Sequence, residues 1–314
     1  MSATRTLEKP AKKARKKDKP KASKNKDAAK KDKSKRKGKG KSKKSSKKTP
    51  AFTAKTADRH ELYQYAVQSP EEDVKFLARV YKSLRGKKAT HFREDFCGTG
   101  LLSATWIKRG KEYTAEGFDI DPDPVAWGMN RHFAEMGEDA QRATIHLKDV
   151  REPSIKKPDI RSAQNFSYFI FHERNVMLDY LRAAYEDLAD DGMFCMDIYG
   201  GPDAMQEVEE VREIEEGFTY VWDQVHYWPA TGDYRAHIHF HFDDGTKIER
   251  AFTYQWRLWF LTEMQDLLRD AGFKRIETYW EGTDEDGESG NGVYRRSKKG
   301  ENCDAWVTYI VALK

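Results

Sequence analysis

The chain has 314 residues and is poor in several things that would narrow its class. It carries three cysteines, Cys97, Cys195 and Cys303, an odd number without metal-ligand spacing. This excludes the disulfide framework of a small secreted domain and fits a reducing, cytoplasmic setting. No apolar run approaches the roughly 20 residues that cross a bilayer as a helix. The N-terminal stretch has no apolar core of the kind a secretory signal uses. There is no G-x-S-x-G, so a serine-hydrolase reading has no support. No metal site is expected either: His237, His239 and His241 alternate with Ile238, Phe240 and Phe242. They read as imidazoles on the outward face of a half-exposed strand.

Charge is abundant but divided. Residues 1–50 hold 23 lysines and arginines against four acids, whereas the remainder holds 34 against 48. A basic tail is thus joined to an acidic body. The tail has almost no apolar residues, cannot offset its ordering entropy, and is expected to be a disordered Lys-rich segment. Weak attraction for RNA or DNA is the partner such a charge run implies. Residues 51–314 are then one folded domain.

Within that domain the organising stretch is Arg93-Glu94-Asp95-Phe96-Cys97-Gly98-Thr99-Gly100-Leu101-Leu102. A short strand precedes it and a helix to Arg109 follows, with Leu102, Trp106 and Ile107 on one face. Strand, glycine turn and helix form the opening of a nucleotide-type site, because glycines admit a close backbone approach and a helix start offers free N–H groups. Asp119 ends the next strand, where an acid suits ribose hydroxyls. A nicotinamide dehydrogenase fits less well, since the third glycine of G-x-G-x-x-G is Ser103 here.

The rest alternates strands and helices. Ser69-Pro70-Glu71-Glu72 reads as a capped helix start, and Asp121-Pro122 as another. Met193 to Tyr199 is a near-continuous apolar strand, the pattern of one covered on both faces. The expected fold is α/β, a doubly wound, Rossmann-like seven-stranded sheet. An antiparallel β excursion spans about 217–256, with turns at Ala230-Thr231-Gly232 and Asp243-Asp244-Gly245. A C-terminal antiparallel hairpin is formed by 274–280 and 305–313, with a Gly- and Asp-rich loop over 282–302. Glu94, Asp119, Asp149, Asn165 and Asp197 fall at or just after strand ends and are expected to converge on one crevice. The segment 58–67 reads equally as a lid over that crevice or as a cover for the sheet edge.

Glu94 to Gly100 resembles the first motif of the class I S-adenosylmethionine-dependent methyltransferases, and Gly117-Phe118-Asp119-Ile120-Asp121 is similar to the second. Asp149-Val150 matches the adenine-contact position, and Leu188-Ala189-Asp190-Asp191-Gly192 resembles the turn before the fifth strand. The resemblance covers roughly residues 58–314 and looks like an uncharacterised bacterial branch. It implies S-adenosyl-L-methionine as cofactor and methyl transfer as activity. The implied cofactor residues are Glu94, Cys97, Gly98, Gly100, Asp119, Ile120, Asp149, Val150 and Asn165. Gly98 and Gly100 would make room for the methionine portion and Glu94 would act near its amino group. Asp119 would take the ribose, and Ile120 and Val150 would flank the adenine.

Two positions depart from the motif: Phe96 replaces its first glycine, and Asp95 takes a normally apolar place. Asn165-Phe166-Ser167-Tyr168 stands where the family meets its acceptor. It lacks the prolines of N-P-P-Y, which argues against planar amines of adenine or glutamine. Catalytic candidates are Asn165, Tyr168, Tyr199, His226 and Arg257; Trp222, Tyr227, Tyr234, Arg235 and Trp256 are further pocket candidates. The favoured acceptor is a small molecule under an aromatic-rich cap. RNA or protein recruited by the basic tail is the alternative, and Phe96 keeps open a non-catalytic scaffold that retains the fold.

Overall fold

The computed structural model describes residues 52–283 and 290–314; the basic tail expected over 1–50 lies outside the described residues. Two helices come first, α1 (Arg59–Val67) and α2 (Pro70–Arg85). Pro70 takes the first position of α2 as expected, but the Ser69 side chain makes no capping bond, and Glu72 pairs with Lys75 instead. Then β1 (His91–Asp95), α3 (Leu101–Ile107), β2 (Thr114–Asp119), α4 (Pro122–Gly128) and β3 (Ala143–Leu147) alternate. Asp121 caps α4 by accepting from the Asp123 amide. β4 (Ile160–Ala163), α5 (Arg174–Asp187) and β5 (Met193–Gly200) complete the parallel part.

The excursion is larger than its sequence signal. It begins with β6 (Val208–Ile214) and continues through β7 (Phe218–Trp228), β8 (Asp233–Phe242) and β9 (Lys247–Arg257) as a separate antiparallel sheet in that order. Exposed glutamates and Arg212 fill β6, so no buried alternation marked it as a strand. After α6 (Leu261–Asp270), β10 (Arg275–Thr283), β11 (Gly290–Arg296) and β12 (Trp306–Leu313) join the main sheet.

That sheet runs β11-β10-β12-β5-β4-β1-β2-β3. β1 to β5 are mutually parallel, and β12, β10 and β11 add antiparallel pairings. The expected seven strands become eight because β11 forms inside the segment expected to be loop. Its residues are mostly exposed, and pairing with β10 rather than burial holds it.

β5 shows why its residues are nearly all apolar, Asp197 being the exception. Met193 and Cys195 enter the core beneath α2 and α3, with Phe92, Trp106 and Leu77. Phe194, Met196 and Ile198 enter the opposite core, with Leu181 of α5 and Leu267 of α6. A third cluster joins α1 to the second sheet through Leu62, Ala66, Phe218, Ile238 and Phe240. Of the histidine row, His237 and His239 do not face water, whereas His241 is partly exposed. β8 is a middle strand, and His237 and His239 are buried against Thr253, Glu249 and Asp223. Cys97 and Cys195 are buried core residues, but Cys303 is exposed ahead of β12.

Candidate functional site

The parallel sheet changes direction between β1 and β4: β2 and β3 lie to one side, β5 to the other. At such a switch point the loops after the two strands diverge and leave a crevice beyond their carboxyl ends. Residues 96–100 form the loop after β1. Gly98 and Gly100 have φ of 51° and 67°, a left-handed backbone that side chains disfavour. Phe96 holds the same region at 54°, so the backbone keeps the shape of the motif's missing glycine. Its ring turns toward Phe171 and Tyr180, with centroids at 5.8 and 5.7 Å. Nothing lies within 4 Å of where a side chain on Gly98 would begin.

The turn is fastened from both neighbours. Asp119, the last residue of β2, accepts from the Gly98 amide at 2.7 Å and from the Asp121 amide at 2.9 Å. Burial raises its pKa above the usual carboxylate value, opposed by those two donors. Ile120 beside it is 69% exposed. From the other side α4 presses on the turn: a β-carbon on Gly128 would stand 1.9 Å from the Thr99 carbonyl oxygen.

Strand alternation sends β1's acids to opposite faces. Glu94 is buried and its Oε2 accepts from the Ser103 amide at 2.8 Å and hydroxyl at 2.6 Å. It ties the strand to the first turn of α3. Burial pushes its carboxyl up to about 8, against the pull of the Ser103 donors.

Asp95, in the unusual apolar position, is fully enclosed with two guanidiniums. Arg93 Nε donates to its Oδ1 at 2.8 Å, and Arg161 Nε of β4 to its Oδ2 at 2.6 Å. Tyr180 of α5 donates at 2.8 Å, and Asp187 accepts from Arg93 at 2.9 Å. Buried charges persist only when paired in this way. Both guanidiniums also donate to the Val150 carbonyl, at 2.6 and 2.5 Å. The network therefore fixes the loop after β3. Val150 itself is buried at 4% exposure, and Asp149 is held by Arg151, whose hydrogen bonds lower its pKa.

α1 lies across the glycine turn. Gln64 donates to Thr99 Oγ1 at 2.9 Å and contacts His132 at 2.7 Å, while Arg59 and His60 reach Asp123 of α4. The same helix presents Tyr63, Ala66 and Val67 to a cleft of about 890 Å³ beyond the ends of β4, β5 and β12. Asn165 and Phe166, both with φ of 57°, border that cleft, and their amides donate to Asp197 at 2.7 and 3.0 Å. Burial raises Asp197 to about 7, against the pull of these two amides.

The catalytic candidates separate. Asn165 and Tyr199 line the cleft, with Trp222 and Trp256. Tyr168 does not: it is fully buried and its hydroxyl donates to the Asp197 carbonyl at 2.6 Å. Tyr234 lies beneath, joined to the Tyr199 hydroxyl at 2.5 Å. His226 pairs with Glu207 outside the cleft lining, Arg235 is exposed beside Trp228, and Tyr227 packs against the core. Arg257 bridges the His172 carbonyl and Glu263, both at 2.8 Å, and stacks on Trp259. It braces α6.

Sequence reasoning missed Gln64, Thr99, Gly128 and Asp73. Gly128 carries a signal, a glycine inside a helical run; Asp73 lies in a helix start whose local pattern signals only a cap.

No protein-family model and no curated protein matches the sequence. Solved structures do. A S-adenosylmethionine-dependent methyltransferase from Clostridium acetobutylicum superposes with a TM-score of 0.60 at 13% identity, over 81% of this chain and 96% of the other. CalS10, an amino pentose methyltransferase from Micromonospora echinaspora solved with its cofactor bound, gives 0.56 at 14%, over 81% and 94%. The sugar N-methyltransferase KedS8 from a Streptoalloteichus species gives 0.55 at 15%, over 82% and 93%. The match takes in nearly all of each neighbour and about four fifths of this chain while identity is low, so the likeness is one of architecture: this chain has the fold of the class I S-adenosylmethionine-dependent methyltransferases.

Proposed function

We propose that the protein is a S-adenosylmethionine-dependent methyltransferase acting on a small molecule held in the cleft beside Asn165. The observation that carries this is the glycine turn, left-handed at Gly98 and Gly100, open at Gly98 and fastened to an acid at the end of β2. These residues fit the cofactor. Each Asp119 oxygen accepts one amide and keeps a second lone pair for a ribose hydroxyl. Exposed Ile120 offers an apolar surface to an adenine ring.

When bound, the cofactor supplies an electrophilic methyl group on a sulfonium. The protein's task is then chiefly positioning, because an aligned nucleophile about 3 Å away needs little else. Asp197 holds the Asn165-Phe166 backbone in place, and the Arg93–Asp95–Arg161 network holds the loop carrying Asp149. α1, pinned at Thr99 and bordering the cleft, would separate both ligands from water. A cleft of about 890 Å³ suits a small acceptor. The amino pentose and sugar enzymes that share the fold support that choice. Residues 1–50 would add weak attraction for a polyanion, and the setting would be cytoplasmic.

The test is calorimetric titration of S-adenosylmethionine and S-adenosylhomocysteine into the full chain and its Asp119→Ala and Asp119→Asn variants. Micromolar binding is expected, weakened at least about tenfold in Asp119→Ala by loss of charge-assisted hydrogen bonds. No binding to the folded wild type overturns the reading and leaves the scaffold.

A further inference from the structure

The cleft has an electrostatic character that the methyltransferase reading does not require. Its lining carries six carboxylates, on Glu72, Asp73, Asp197, Asp203, Glu210 and Glu281, against one guanidinium. That guanidinium, Arg212, is committed: it donates to the Ala66 carbonyl and lies 5.2 Å from the Tyr220 ring centre. Among the described residues only Glu72 of the six forms an ion pair, with Lys75. Asp73 accepts from the Tyr309 hydroxyl at 2.8 Å, Asp197 from two amides, and Glu281 from the Gly292 amide at 2.8 Å. These are neutral donors. They satisfy oxygens without supplying opposite charge; Asp197, raised to about 7, carries only part of its charge near neutral pH, and the remaining carboxylates keep the cleft negative.

The walls are aromatic. Trp222, Tyr254 and Trp256 project from the second sheet as one group, with centroid separations of 4.3 to 6.3 Å. Tyr199 and Phe166 face them from β5 and the loop after β4. Electron-rich ring faces attract cations and are indifferent or hostile to anions. Carboxylates lacking cation partners and rings of this kind select for the same ligand charge.

Resting on the proposed function, we infer that the acceptor is a cationic amine: a basic nitrogen, ammonium in water, on a small apolar or sugar-like body. The carboxylates draw the ammonium in and the rings enclose its carbon skeleton. Methylation at nitrogen requires a free lone pair, so the ammonium must first give up one proton. Asp73 suits that exchange. It borders the cleft, and burial together with neighbouring Glu72 raises its carboxyl to about 6, against the pull of the Tyr309 hydroxyl. The amine's proton moves to the carboxylate, which returns it to solvent, and the nitrogen is left neutral. A phosphorylated or carboxylated acceptor is disfavoured, since Arg212 alone would have to meet it.

The test uses three probes of one shape and different charge: benzylammonium, benzyl alcohol and benzoate. Their binding to the full chain is read by saturation-transfer NMR and by quenching of cleft tryptophans, with S-adenosylhomocysteine titrated separately into the same samples. Benzylammonium is expected to bind at least about tenfold tighter than the alcohol, and benzoate weakest. That preference should shrink several-fold in Asp73→Asn. It should also shrink in Glu210→Gln, whose site is an exposed strand and whose folding is not in question. Equal binding of the three probes, binding of none, or a preference untouched by both substitutions overturns the inference. The homocysteine arm keeps the two claims apart. Nucleoside binding without an ammonium preference leaves the methyltransferase and removes the amine. An ammonium preference without nucleoside binding leaves the amine-binding cleft and removes the methyltransferase.

Discussion

Replacing Glu94 by glutamine isolates the electrostatic cost of the buried acid behind the glycine turn. In the folded chain burial raises this carboxyl from 4.5 to about 8, with Ser103 as its partner. Between those values the folded state holds a proton that the unfolded state has released. Stability contributed by the group is therefore full below about pH 4.5 and is lost as pH rises toward 8. At about 1.4 kcal/mol per pH unit in that window, the loss between pH 5.5 and 8.5 is up to about 3 kcal/mol. Glutamine keeps an oxygen for the Ser103 amide and hydroxyl and does not titrate. Urea unfolding of wild type and Glu94→Gln at both pH values reads the difference directly, because Asp73 and Asp197 titrate in both proteins and cancel. The variant should gain on wild type by that amount at the higher pH. A difference independent of pH, or wild type gaining as pH rises, refutes the assignment of a buried, proton-holding acid.

Two further substitutions test the turn. Gly128→Ala places a β-carbon 1.9 Å from the Thr99 carbonyl oxygen, so α4 must retreat; a loss of about 2–3 kcal/mol and weakened homocysteine-nucleoside binding are expected, checked by thermal melting and calorimetry. Phe96→Gly relieves a left-handed residue worth about 1 kcal/mol but removes a ring packed on Phe171 and Tyr180. The variant should melt lower yet bind the nucleoside within about twofold of wild type, and a large affinity change would place the ring in the site.

The sheet and its glycine turn were legible because local chemistry writes them. Alternating strand and helix patterns, Pro70 and Pro122 at helix starts, and a near-continuous apolar run in β5 each follow from backbone geometry over a few residues. The resemblance of residues 94–100 and 117–121 to methyltransferase motifs rests on the same local signals. β6 and β11 were not legible, since exposed strands held by pairing carry no burial pattern. Three catalytic candidates stand away from the cleft lining for one reason. His226, Tyr168 and Arg257 have the right chemistry, but their partners Glu207, the Asp197 carbonyl and Glu263 stand nearby only after folding.

The sequence by itself therefore determined the layered α/β fold, the turn and the acid at Asp119. Tertiary structure alone decided that Asp95 is a buried counter-ion, that α1 crosses the turn at Thr99, and that six separated carboxylates share one cleft. Periodicity and turn propensity act between neighbours in the chain. Charge neutralisation and cavity lining join residues from β1, β4, α2, α5 and a second sheet, and only the packed molecule brings those together.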